Sequence, residues 1–225
     1  MSKIAALMPM RHGSERIKGK NYRLFGDRPL YQHMLDCLVS SELIDVVVID
    51  TDSQIISEQV SAKYPDVVLL ERPSYLTAGT VPMNDVLLHD VSNVEADFYL
   101  QTHSTNPLLT LESLESAIKI FLENYPMYDS LFTVTRLQTR LWDELARPIN
   151  HNSSILLRTQ DLPPIYEENS CLYIFSKEIL KRKHNRIGDR PYLYSLPPDE
   201  AWDIDEEIDF QIAEMIYKHN LGIAT

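Results

Sequence analysis

Cysteine is nearly absent: Cys37 and Cys171 are the only two in 225 residues. Two thiols cannot build a disulfide framework, so the fold must rest on a buried core. The pair suits a reducing compartment, as small apolar residues. Long hydrophobic runs are missing as well. No stretch of about 18 apolar residues occurs, and the opening nine residues are apolar for too short a span to read as a signal peptide. A cytoplasmic chain with no membrane partner is therefore expected. Glycine is scarce: six in all, and three of them, Gly13, Gly19 and Gly26, fall near the amino end. Positive charge is in short supply, with 21 Lys and Arg against 33 Asp and Glu and a formal net charge of −12. Such a chain repels nucleic acid and anionic lipid at long range, which excludes general nucleic-acid binding.

What charge there is lies unevenly. Residues 11–28 hold six basic residues (Arg11, Arg16, Lys18, Lys20, Arg23, Arg28) against two acids, Glu15 and Asp27. Residues 199–214 hold eight acids and no base. One small cationic loop and one small acidic segment suit a compact anion and a hard cation. The length fits a single domain over 1–225 that buries roughly 70% of its unfolded surface.

The apolar segments alternate in type. Residues 3–8 read as a buried strand ending at Pro9, and 9–21 as a loop. Pro29 suits the first turn of a helix carrying Leu30, Met34, Leu35 and Leu38. The β-branched run 45–50 reads as a strand buried on both faces, and 51–53 as a helix cap. Strands are expected at 67–70, 97–103 and 131–136, with helices from Pro82 and from a Thr110 cap. This order implies an α/β fold: a mostly parallel sheet with helices on both faces. Residues 137–170 break the rhythm. So long a structureless loop is unusual inside a compact domain, so an arm or hairpin packing on a second subunit is expected. After it come a return strand at 171–175, a short helix and a strand at 192–196. Ile204, Ile208, Ile212 and Ile216 mark a final amphipathic helix. In open parallel sheets ligands bind outside the carboxyl ends of the strands, so the loops 9–21, 71–81 and 103–109 should converge on one crevice.

Three clusters carry chemistry. Arg11, Gly13, Ser14, Lys20 and Asn21 follow the first strand, where glycine lets backbone N–H groups approach a phosphate and cations neutralise it. The spacing is not a Walker loop, because five residues separate Gly13 from Gly19 and Asn21 stands where Ser or Thr is needed. A solvated basic loop is the alternative. Asp203 and Asp205 point the same way in an extended segment and could share Mg²⁺ with substrate phosphates, or Asp205 could cap the helix that follows. Glu206, Glu207 and Asp209 read as solvated helix residues. His103 to Leu108 closes a buried strand with polar groups able to bind a sugar, or with turn chemistry before Pro107.

Together these pieces resemble the acylneuraminate cytidylyltransferase family, the CMP-sialic acid synthetases. The opening pattern is Arg11-His12-Gly13-Ser14, Ile17 and Lys20-Asn21, continued by Leu24-Phe25-Gly26-Asp27-Arg28-Pro29-Leu30. Asp50-Thr51-Asp52, the pair Arg72-Pro73, His103-Ser104-Thr105-Asn106-Pro107-Leu108, Asn169-Ser170-Cys171-Leu172-Tyr173-Ile174 and Asp203-Ile204-Asp205 with Asp209 follow in order. The resemblance spans nearly the whole chain, and its first and last motifs are the specific ones.

The resemblance implies a nucleotide-diphospho-sugar-transferase-like fold and transfer of CMP from CTP to the hydroxyl of an acidic sugar, with Mg²⁺ and release of pyrophosphate. It places Arg11, Gly13, Ser14, Lys20, Asn21 and Arg72 at the nucleotide, with Arg11 and Lys20 catalytic. His103 and Asn169 fall at the sugar, and Asp203 and Asp205 at the metal. The 137–170 arm then resembles a homodimerisation segment. Sialic-acid enzymes of the family often carry Arg two residues before the motif Asn, where this chain has Glu167; Arg140, Arg147 or Arg158 could supply the carboxylate clamp instead. Sialic acid or a related nonulosonate is the first expectation. A 3-deoxy-octulosonate or phosphonate acceptor, or a non-catalytic nucleotide-binding regulator, are the alternatives.

Overall fold

The computed structural model describes residues 2–222. Its centre is β1 (Ile4–Leu7), four residues without solvent contact. Pleating sends alternate side chains to opposite faces. Ile4 and Ala6, with Met8 beyond the strand, join one apolar cluster, and Ala5 and Leu7 join another. A strand buried on both sides needs helices on both sides.

The first face is covered by α1 (Leu30–Ser40), α2 (Gln54–Lys63) and α4 (Leu111–Asn124). Met34, Leu35, Leu38, Ile56, Val60, Leu114, Ile118 and Phe121 point into its core. Ser53 caps α2 by accepting from the Ile56 N–H, and Thr110 caps α4 by accepting from the Ser113 N–H. The second face is covered by α3 (Met83–Asn93) and α5 (Lys177–Lys183), through Leu87, Val91 and Leu180.

The remaining strands are β2 (Leu24–Phe25), β3 (Arg28–Pro29), β4 (Val46–Thr51), β5 (Val68–Glu71), β6 (Phe98–Thr102), β7 (Ser130–Leu137), β8 (Ile165–Phe175) and β9 (Pro191–Ser195). β2 and β3 form a separate small hairpin turned by Gly26, whose φ of 62° lies in the left-handed region. The main sheet runs β5-β4-β1-β6-β8-β7-β9. Neighbours are parallel except β8, which runs antiparallel to both β6 and β7. The α/β class and mostly parallel sheet expected from the element order are what is found.

Two expectations need correction. The return strand does not start at 171: β8 begins at Ile165, and its first half pairs with Val134–Leu137. The excursion is the end of a long β7–β8 hairpin, one of the two forms expected for it, with a helical turn at Thr159–Asp161. The final helix, α6 (Glu207–Asn220), does not bury the isoleucine stripe. Ile208 is 57% exposed, whereas Phe210 and Ala213 are buried with Ile204, which precedes the helix. A 3.6-residue period places 210, 213 and 217 on one face more closely than it does a strict repeat of four.

Candidate functional site

The loops after β1, β5 and β6 meet in a cleft of about 470 Å³. Arg11, Gly13, Ser14, Lys20, Asn21, Arg72 and His103 all line it. It opens where the chain turns from β1 to β4 on one side and β6 on the other, the switch point of the sheet. Asn169 and Asp203 line a second hollow of about 300 Å³ with Glu167, Glu168 and Asp209. Thr105, which lines the first, accepts at its carbonyl from the Ile204 N–H at 3.0 Å, next to Asp203 of the second.

The cationic loop is pinned at its root. The Met10 N–H donates to the Asp50 carbonyl at 2.8 Å, and the His12 N–H to Asp52 Oδ1 at 2.6 Å. A Cβ placed on Gly13 meets nothing within 4 Å, so its backbone faces open space. Gly19, at φ 67°, turns the loop back and presents Lys20 inward. Asn21 spans two loops: its Nδ2 donates to the Arg11 carbonyl at 3.1 Å, and its Oδ1 accepts from Ser104 Oγ at 2.8 Å.

The acidic segment reaches this loop through hydrophobic burial. Ile17 and Ile204 are buried in one apolar cluster with Phe25, Leu30, Leu108 and Phe210. Ile204 separates the two aspartates, and Ile17 sits between Arg16 and Lys18, so packing one isoleucine near the other brings the charges together. Arg16 Nη2 lies 2.5 Å from Asp205 Oδ1. Lys20 Nζ donates to the Ile204 carbonyl at 2.6 Å and lies 4.0 Å from Asp205 Oδ1. Burial pulls the Lys20 pKa down, and Asp205 and Asp203 pull it back up.

Capping is assigned elsewhere, which corrects the reading of the neighbouring acids. Glu206 is the N-cap of α6, and Asp209 completes a capping box by accepting from the Glu206 N–H at 2.8 Å. Glu207 takes both guanidinium arms of Arg23, at 2.5 and 2.8 Å. Asp203 and Asp205 are therefore free of the helix. Asp203 Oδ1 is buried without a hydrogen-bond partner, and burial raises the carboxyl's pKa. An orphaned carboxylate oxygen beside a second carboxylate fits a hard divalent cation.

Arg72 lines the cleft but is committed to an ion pair with Asp50, both almost wholly buried. His89 Nδ1 lies 3.2 Å from Asp50 Oδ2 and 3.4 Å from Asp90 Oδ1. Asp50, His89 and Asp90 offer ligand atoms within 4.8 Å of one another, a metal-like spacing with no sequence signal. Burial, and after it the Asp50 charge, push the Asp90 carboxyl well above its usual range, which favours its protonated form.

Sequence reasoning passed over three contributors. Arg16 was counted as charge but given no role. The 71–81 loop lines the cleft as expected, but its individual residues Ala78, Gly79 and Val81 carried no signal, and a Cβ on Gly79 would come within 2.5 Å of the Arg11 guanidinium. Arg186 stacks 3.5 Å above the Tyr173 ring and donates to Gln101. The three arm arginines considered as a carboxylate clamp each have a partner within the arm. Arg140 donates to the Leu157 carbonyl, Arg147 pairs with Asp143, and Arg158 pairs with Asp161.

Comparison with known proteins agrees with this architecture. The chain is 27% identical to the post-translational flagellin modification protein B of Campylobacter coli, over 97% of this chain and 96% of that protein. It is 26% identical to N-acylneuraminate cytidylyltransferase A of Danio rerio over 94% of this chain, and spans half the length of that relative. The solved CMP:2-keto-3-deoxy-manno-octonic acid synthetase complexed with CTP shares the fold, with a TM-score of 0.69 at 14% identity, over 97% of this chain and all of that one. The family model described as cytidylyltransferase matches residues 5–221, and the chain belongs to that family of nucleotidyltransferases.

Proposed function

We propose that the protein transfers CMP from CTP to the hydroxyl of an acidic sugar, a sialic acid or related nonulosonate, and releases pyrophosphate. The observation that carries this is the contact of the cationic loop, through Arg16 and Lys20, with Asp205, the second of the two aspartates. The names of the relatives support the acceptor class, and the motif order supports the nucleotide.

The acceptor oxygen attacks the α-phosphorus and the bond to the β-phosphate bridge breaks, with pyrophosphate leaving. Charge spreads over the phosphoryl oxygens in the transition state, so positioned cations do most of the work. Arg11, Lys20 and Arg16 supply three positive charges, and Ser14 and the exposed backbone at Gly13 supply donors. Asn21 holds the two loops in register. Arg72, fixed by Asp50, forms the nucleotide wall. Asp203 and Asp205 would hold Mg²⁺ against the triphosphate, and the ion, when bound, would neutralise phosphate charge and acidify the attacking hydroxyl. His103 and Asn169 face the acceptor.

The arm presents Trp142, Leu145, Ile149, Ile155 and Leu156 to solvent, the last 90% exposed. So much apolar surface on one projection suits a homodimer contact. No helix among the described residues is long and apolar enough to cross a membrane. Cys37 and Cys171 are free thiols, in keeping with a reducing cytoplasm.

A CTP- and Mg²⁺-dependent pyrophosphate assay over a panel of acidic sugars is the test. Release with a nonulosonate supports the reading. Release only with an octulosonate or phosphonate moves the acceptor. CTP binding with no turnover on any acceptor favours a regulator.

A further inference from the structure

Gln101 is fully buried on β6, and the polar capacity of its side chain is accounted for. Arg186 carries donors only, so the Gln101 atom that meets it is the oxygen, Oε1. The amide nitrogen must then face the other way. Its two protons go to the Thr102 carbonyl at 2.9 Å and to His103 Nε2 at 3.0 Å. An NH₂ group offers no lone pair to a ring N–H, so His103 Nε2 is an acceptor and the ring proton sits on Nδ1. Arg186 is itself fixed by stacking on Tyr173, whose hydroxyl contacts Glu168 and Ser170.

We propose that Arg186 and Gln101 are positioning residues that lock His103 as the neutral Nδ1–H tautomer, so that this side of the cleft meets the acceptor with a fixed hydrogen-bond donor rather than a base. The ligand atom it fits is an electron-rich oxygen, a hydroxyl or carboxylate of the acceptor. The inference rests on the cytidylyltransferase reading only for the identity of that ligand. Burial above all, and then the charged groups acting on the ring, the cations Arg186 and Lys20, drive its pKa down to about 3. Acquiring a proton, and with it a second donor, is thus disfavoured throughout the working range.

The test is long-range ¹H–¹⁵N correlation of the histidine-labelled full chain, with His103 assigned by its loss in His103→Gln. The expected result is an Nδ1–H tautomer that does not titrate between about pH 8 and about pH 5. An Nε2–H tautomer, or titration inside that window, overturns the proposal without touching the reaction class. Gln101→Glu places an acceptor against the ring and should flip the proton to Nε2 and raise the pKa. The KM for the acceptor should then rise about tenfold, the cost of losing a hydrogen bond to a polar or charged partner, with the KM for CTP little changed. Arg186→Lys, still a pure donor, should keep the original tautomer. A Gln101→Glu protein with the wild-type tautomer and acceptor KM would also overturn it. Absence of turnover with every acidic sugar would sink the substrate reading and leave the tautomer result standing.

Discussion

Lys20 Nζ lies 4.0 Å from Asp205 Oδ1 and donates a 2.6 Å hydrogen bond to the carbonyl of Ile204, 184 residues away in the chain. The cationic loop after β1 and the last acidic segment are thus parts of one structure. Lys20 is well shielded, at 13% side-chain exposure, while Asp205 is half exposed at 48%. The lysine is held in place and the carboxylate keeps a face toward solvent.

Lys20→Met removes a cation from the triphosphate side while keeping much of the side-chain volume. Losing one such donor should raise the barrier by about 3 kcal/mol, on the order of a hundredfold in kcat. Pyrophosphate release under saturating CTP measures it. Thermal stability should also fall, by about 1–3 kcal/mol, because the Ile204 carbonyl loses its donor.

Ile204→Ala tests how the aspartates are positioned. Ile204 has no solvent exposure and packs with Ile17 and Phe210. The truncation should cost about 2–5 kcal/mol of stability and loosen the aspartates at the same time. Denaturant unfolding and turnover, measured on one preparation well below its melting temperature, should both fall. Ile204→Val should lose only about 1 kcal/mol and keep most of the activity.

Asp90 gives a pH dependence with a definite sign. Its folded pKa is raised, by burial first and then by Asp50. Between about pH 4 and that raised value the unfolded chain releases the proton and the folded chain keeps it, so stability falls as pH rises. Asp90→Asn mimics the protonated form and removes this slope. Melting temperatures of the two proteins should be close at about pH 4 and separate progressively as pH rises above it, with the variant higher. A constant gap would contradict the raised pKa of Asp90.

Much of this was legible in the sequence because it depends on local pattern. β1, β4 and α4 announce themselves by buried runs and by the Thr110 cap, and the convergence of three loops follows from strand order alone. The first half of β8 was not legible. Tyr166, Glu167 and Glu168 are exposed and carry no apolar pattern, and they are a strand only because β7 supplies the ladder. The choice between cap and ligand for the late acids turned on Glu206 and Asp209, which satisfy the helix end and release Asp205. Arg186 had no motif at all. Its meaning comes from Gln101, 85 residues away, and from the ring of Tyr173.

That one metal-bound triphosphate is held between Lys20 and Asp205 is tested most directly by titrating CTP calorimetrically into the wild type and Asp205→Asn, with and without Mg²⁺. Wild-type affinity should strengthen about tenfold or more when Mg²⁺ is added, and that gain should vanish in Asp205→Asn while metal-free binding persists. If the variant binds CTP with the full Mg²⁺-dependent gain and releases pyrophosphate at the wild-type rate, Asp205 does not hold the metal and the triphosphate lies elsewhere.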